Sequence, residues 1–158
     1  MNSYKSWSGL NKQLADRLCE PLKGRITYFL TRYHKVHNAY GRASIRLDGK
    51  ELVSFAWNEK YKQDRDVKER WEKTGVWNYE APELKEKWNL EATLTDYDFL
   101  EVATEFLQLS IQDALQSKNY LIRVFAIMDK RVGKRTLEAI RQAGEYTTYP
   151  EWVRQFYE

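Results

Sequence analysis

Asp48-Gly49 is the feature that most narrows what this chain can become. A segment of alternating residues lies on each side of the pair. In the first, Ala43, Ile45 and Leu47 fall on one face and Ser44 and Arg46 on the other; in the second, Val53, Phe55 and Trp57 alternate with Ser54 and Ala56. Asp-Gly suits a two-residue turn whose central positions both need positive φ, so the pair predicts a tight antiparallel hairpin over 42–57. Upstream, Ile26, Tyr28 and Leu30 alternate with Thr27, Phe29 and Thr31, which predicts another strand over 25–33. Bulky groups on both of its faces imply partial cover on each side. The three strands make an antiparallel meander, and helices must cover one of its faces.

Helical spacing accounts for most of the rest. Ser6 or Ser8 caps a first helix that runs to about Cys19, carries a stripe of Leu10, Leu14 and Leu18, and is stopped by Pro21. The charge-rich stretch 58–74 reads as a surface helix weakly anchored by Val67 and Trp71. Residues 75–92 show little periodicity and read as irregular chain or a short helix near Glu83 to Trp88. Thr95-Asp96-Tyr97-Asp98 is a capping signal with acid in the first turn. It predicts one core helix to about Gln116, with Leu100, Ala103, Leu107, Ile111 and Ala114 on one face. Pro150 to Tyr157 reads as a last short helix with proline at its first position. The expected fold class is α+β: a three-stranded antiparallel meander packed by an N-terminal helix and a C-terminal helical half. A chain of 158 residues makes one globular domain over 1–158 the expectation.

The stretch Leu121–Ile140 holds the most distinctive residues. From Leu121 to Met128 only Arg123 is not apolar. A buried strand is one reading. A helix is favoured because Leu121, Phe125 and Met128 share one helical face. Its start is capped by Ser117 or Asn119; Lys130 and Arg131 fall in its last turn, and Gly133 takes the left-handed position beyond its end. A second helix then runs from Thr136 to Gln142, with Leu137 and Ile140 inward and Gly144 as its stop. Four basic residues, Lys130, Arg131, Lys134 and Arg135, surround the turn against one acid, Asp129. Arg131, Lys134 and Arg135 are candidate contacts for a partner or for nucleic-acid phosphates. The competing reading is structural: they complete the helix dipole and pair with acidic neighbours. A phosphate-binding loop is excluded, because no glycine stands upstream of Gly133-Lys134 at the required spacing.

Five segments resemble an uncharacterised family of short bacterial proteins of unknown function. They are Trp7-Ser8-Gly9-Leu10 with Leu14, Leu22-Lys23-Gly24-Arg25, Leu47-Asp48-Gly49-Lys50-Glu51, Ser110-Ile111-Gln112-Asp113-Ala114-Leu115, and Asp129 to Leu137, the last being the most specific. The resemblance implies a bacterial cytoplasmic origin. It carries no activity, substrate or catalytic residues.

Function is bounded mainly by exclusion. The formal net charge of +3 is mild for a dedicated nucleic-acid binder. The single cysteine, Cys19, precludes an internal disulfide, fits a reducing compartment, and reads as a small buried hydrophobe rather than a nucleophile. There is no N-terminal apolar stretch with a cleavage pattern and no run near the ~20 apolar residues of a membrane span, so the expectation is a cytoplasmic protein. His34 and His37 are the only histidines and lack carboxylate or thiol companions, so neither a metal nor another cofactor is expected. Aromatic residues reach 15%, which supplies either a core or a contact surface. Trp71, Trp77 and Tyr79, in the weakly periodic middle of the chain, are the candidate aromatic contact surface. Three readings result. The first is a non-catalytic binding protein of unidentified partner. The second is a nucleic-acid binder using the helix-turn-helix-like segment 121–140. The third is an enzyme whose site gathers distant residues such as Arg25, Tyr28, His34, His37 and Asp48.

Overall fold

Asp48 at φ 51° and Gly49 at φ 83° form the tight turn expected of them. The computed structural model describes residues 6–32, 41–87 and 95–144. Strands β1 (Ile26–Arg32), β2 (Gly41–Leu47) and β3 (Lys50–Ala56) form an antiparallel sheet in the order β1-β2-β3. Tyr28 pairs with Ile45 and Ile45 with Val53. The next pair is Arg46 with Glu51, so Leu52 is the extra residue of a bulge that bends β3. With this register, Ile26, Tyr28, Ala43, Ile45, Val53 and Phe55 share one buried face. The opposite face carries Phe29, with the Arg46 guanidinium 4.2 Å from its ring centroid. The fold class is α+β, as the sequence predicts.

Helices cover the buried face. Ser6 caps α1 (Trp7–Asp16), its Oγ accepting the Gly9 N–H, and Leu10 and Leu14 point into the core. α4 (Asp96–Gln108) starts with the predicted capping box between Thr95 and Asp98. It contributes Phe99, Leu100, Ala103 and Phe106, and α6 (Tyr120–Ile127) contributes Leu121, Ile122, Val124 and Phe125. Rings from four elements meet at the centre. Phe55 stacks on Phe99 at 5.4 Å, Phe106 on Phe125 at 5.2 Å, and Tyr28 meets Phe125 edge-on at 5.9 Å. Each fully buried side chain of this size contributes about 1.5–3 kcal/mol before its ordering cost.

The helical half differs from expectation in several places. The predicted helix over 95–116 is two helices. Leu109 is extended at ψ 149°, and Ser110 restarts the chain as α5 (Ile111–Leu115) by accepting the Asp113 N–H. The segment 121–128 is helix and not strand, capped by Asn119, whose side chain accepts the Leu121 N–H. α6 ends at Ile127, so Lys130 and Arg131 lie beyond it and not in its last turn. Gly133 is extended, with φ −82° and ψ 166°. It is the N-cap of α7 (Lys134–Gln142) and not a left-handed residue closing α6. Gly144, at φ 72°, does end α7. The first helix stops at Asp16, well before Pro21, which sits in a 3-10 turn, Glu20–Leu22. Trp57, assigned to β3 from its alternation, begins α2 (Trp57–Thr74). α3 (Pro82–Lys85) follows. The predicted helix over 150–157 and both histidines lie outside the described residues.

Candidate binding surface

α2 and the chain after it form an arm. α2 carries six basic and five acidic residues, and among its described side chains Val67 is the one that is fully buried. At its end Gly75 takes a left-handed φ of 74° and donates its N–H to the Trp71 carbonyl at 2.7 Å. Thr74 Oγ1 donates to the Arg70 carbonyl and accepts from the Val76 N–H, which sharpens the reversal. The returning chain lays Ala81 and Leu84 on Val67, a small apolar cluster separate from the main core. Arg70 Nε lies 2.6 Å from Glu83 Oε1, and Lys85 pairs with Glu80. The Arg70 guanidinium holds the Glu83 carboxyl below the usual carboxylate range.

That reversal brings together the three aromatic residues singled out from sequence. Trp71 meets Trp77 edge-to-face with centroids 6.0 Å apart, and Trp77 meets Tyr79 the same way at 6.1 Å. Tyr79 donates its hydroxyl to Asp64 Oδ1 at 2.5 Å, which pins the row to α2 and raises the hydroxyl above its ordinary value. The rings are nevertheless open: Trp71 is 45% exposed, Trp77 52% and Tyr79 39%. Tyr61 and Val76 extend the apolar surface. Beside the row lies a shallow cleft of about 550 Å³ lined by Tyr61, Asp64, Arg65, Lys68 and Trp77. The cleft was not foreseen. Its signal was the spacing 61, 64, 65, 68, which is one face of a helix.

The basic turn divides its residues between two roles. Asp129 is fully buried and Arg131 is bound to it: Nε reaches Oδ1 at 3.0 Å, Nη2 reaches Oδ2 at 3.0 Å, and the Arg131 N–H reaches Oδ1 at 2.8 Å. Arg17 Nη1 stands 3.9 Å from the same carboxylate. Backbone bonds from Cys19 N to the Met128 carbonyl and from Lys130 N to the Arg17 carbonyl join the end of α1 to this turn. Arg131 thus has its guanidinium engaged by the Asp129 carboxylate. Lys134 and Arg135 are exposed in the first turn of α7, where no acid offsets them and the helix dipole disfavours cations.

Of the remaining sequence candidates, Arg25, Tyr28, Cys19 and Asp48 lie among the described residues and His34 and His37 do not. Arg25 and Asp48 form a two-pronged surface pair at 3.1 and 2.9 Å. Tyr28 is in the core, its hydroxyl pushed far up by burial with Asp129 nearby. Cys19 is half-buried and burial raises its thiol, the opposite of what activates a nucleophile. Among the described residues no group of three or more His, Cys, Asp or Glu side chains could hold a metal ion. No helix among them is long and apolar enough to cross a membrane.

Fold and surface together describe an α+β scaffold with an aromatic arm. The chain belongs to the SF0329 protein family, which it matches over residues 6–158. No curated protein and no solved structure matches it.

Proposed function

We propose that this is a non-catalytic binding protein of the bacterial cytoplasm, and that the row Trp71-Trp77-Tyr79 is its contact surface. One observation carries the reading: three large rings in mutual contact, pinned by a hydrogen bond to α2, are left facing water. Tryptophan and tyrosine dominate binding energetics where they are held rigid and then covered. Holding them in advance lowers the ordering cost of association. The test is isolation of the protein from its source cells, in wild-type form and as the Trp71→Ala/Trp77→Ala variant. A stoichiometric protein partner is expected with the first and not the second. Repeated recovery of the wild-type chain as a free monomer refutes the reading.

A second reading, nucleic-acid binding through segment 121–140, is supported by the exposed Lys134 and Arg135. Arg131 drops out of that reading because Asp129 occupies it. Phosphate contacts give a log-log salt slope of roughly −0.9 each, so two contacts predict a slope near −2. Unaltered retention of the Lys134→Ala/Arg135→Ala variant on DNA and RNA eliminates it.

A further inference from the structure

We propose that the cleft beside the aromatic row receives an acidic peptide segment of a partner protein. An apolar anchor side chain lies against Trp77 and Tyr61, and flanking carboxylates meet Arg65 and Lys68. The inference rests on the aromatic row being a contact surface and adds the chemistry of what it contacts.

Charge decides the occupant. The cleft is lined by one acid and two bases. The acid, Asp64, accepts the Tyr79 hydroxyl. Among the described residues Arg65 and Lys68 make no ion pair, and both are exposed. Three residues apart on one helical face, they repel each other, a small cost that an incoming carboxylate reverses. An arginine beside a tryptophan and a tyrosine is the composition of an interface hot spot. A nucleic-acid strand fits less well, because a polyanion needs a basic groove that follows its backbone. The net charge of α2 is only +1, with acids spaced along its length, so the positive site is local. The rings also meet edge-to-face, tilted by 64° and 68°, rather than forming parallel platforms for successive bases. A volume of about 550 Å³ that is open to solvent accommodates one large side chain with its adjoining backbone.

The test uses the full chain and three labelled degenerate peptide libraries. One has a Phe, Leu or Trp anchor flanked by Asp and Glu. The second has the same anchors flanked by Lys, and the third is acidic without an anchor. Anisotropy and tryptophan emission report binding. The expected result is binding of the acidic anchored library at least tenfold tighter than either other library. Trp77→Ala and Arg65→Glu/Lys68→Glu, each with unchanged circular dichroism, should both lose at least tenfold. If Lys-flanked anchors bind as well and Trp77→Ala abolishes it, the aromatic surface survives and the acidic partner is wrong. If no library binds above the anchorless control, both ideas fail. Tighter binding of oligothymidylate, lost in Arg65→Glu/Lys68→Glu, replaces the peptide with nucleic acid. Self-association abolished by Trp77→Ala replaces it with a second copy of the chain.

Discussion

Arg131 closes its guanidinium on the carboxylate of Asp129, two residues earlier in the chain, and the carboxylate is wholly shielded from water while Arg131 keeps a side-chain exposure of 31%. The asymmetry sets the energetics. Removing Arg131 strands a buried charge, because Arg17 at 3.9 Å is too distant to hydrogen-bond it. Arg131→Ala should therefore destabilise by about 3 kcal/mol. Arg131→Lys, which keeps the charge and loses the fork, should cost less. The Asp129→Ala/Arg131→Ala double variant should cost less than the sum of the two single changes. Urea titration reads each as a lower midpoint at unchanged slope. An Arg131→Ala protein within ~0.5 kcal/mol of wild type rules out the latch, on the scale of ordinary surface substitutions.

Gly41 begins β2 against the side chain of Asp96, the fully buried first residue of α4. A Cβ at position 41 would collide with Asp96 Oδ2 and lie 2.9 Å from the Thr31 carbonyl oxygen. The second contact is backbone and has little room to yield. Gly41→Ala should destabilise by about 1–3 kcal/mol through overpacking alone. Adding Asp96→Ala should not restore wild-type behaviour, since the Thr31 contact remains. A Gly41→Ala chain that melts with the wild type shows that the strand end and α4 can separate at no cost.

The hairpin was readable because its turn chemistry is local: Asp48 and Gly49 set the pairing of Leu47 with Lys50 and of Arg46 with Glu51, whereas the bulge at Leu52 that brings Val53 opposite Ile45 has no such local signal. The core face of α6 was readable for a similar reason, since Leu121, Phe125 and Met128 repeat at helical spacing within one segment. The ends of the helices were not. α6 stops at Ile127 because Asp129 bridges back to Leu18, a contact made across more than a hundred residues. Gly133 then serves the helix after it, not the helix before it. The break at Leu109 is likewise hidden, because a helix through 95–116 satisfies the same apolar spacing and Ser110 becomes a cap only once the chain has turned. At the candidate surface, the residue types of Trp71, Trp77 and Tyr79 were informative but their meeting was not. It depends on the reversal at Gly75. The basic turn shows the same limit from the other side. Arg131 and Arg135 are alike in sequence, and only the burial of Asp129 distinguishes them.

The arm has its own small apolar cluster of Val67, Ala81 and Leu84, so it should open without the rest of the molecule. Leu84→Ala removes most of one of its three members. Cavity arithmetic places the local cost at about 2 kcal/mol or more. Hydrogen exchange should quicken across α3 and the C-terminal half of α2, while amides of α6 and β2 stay protected. The emission of Trp71 and Trp77 should change with the arm. Uniform acceleration of exchange through β2 and α6 would mean that the arm and core unfold as one unit.

Acid should loosen the same arm first. Arg70 hydrogen-bonds Glu83 and holds its carboxyl below the ordinary value of 4.5. A carboxyl depressed in the folded state contributes stability that is present above its unfolded value and is lost as pH falls through the folded one. Between about pH 5 and pH 3, bracketing the ordinary glutamate range, exchange in α3 should rise relative to the core once intrinsic rates are corrected. Glu83 is exposed, so the effect is modest and sensitive to salt. Arg70→Ala should flatten it. Arg25 acts on Asp48 in the same direction, but that pair sits at the β2–β3 turn, so its contribution appears in different amides. Acid sensitivity in α3 that survives Arg70→Ala would assign it to another carboxylate of the arm and remove the Arg70–Glu83 pair as its cause.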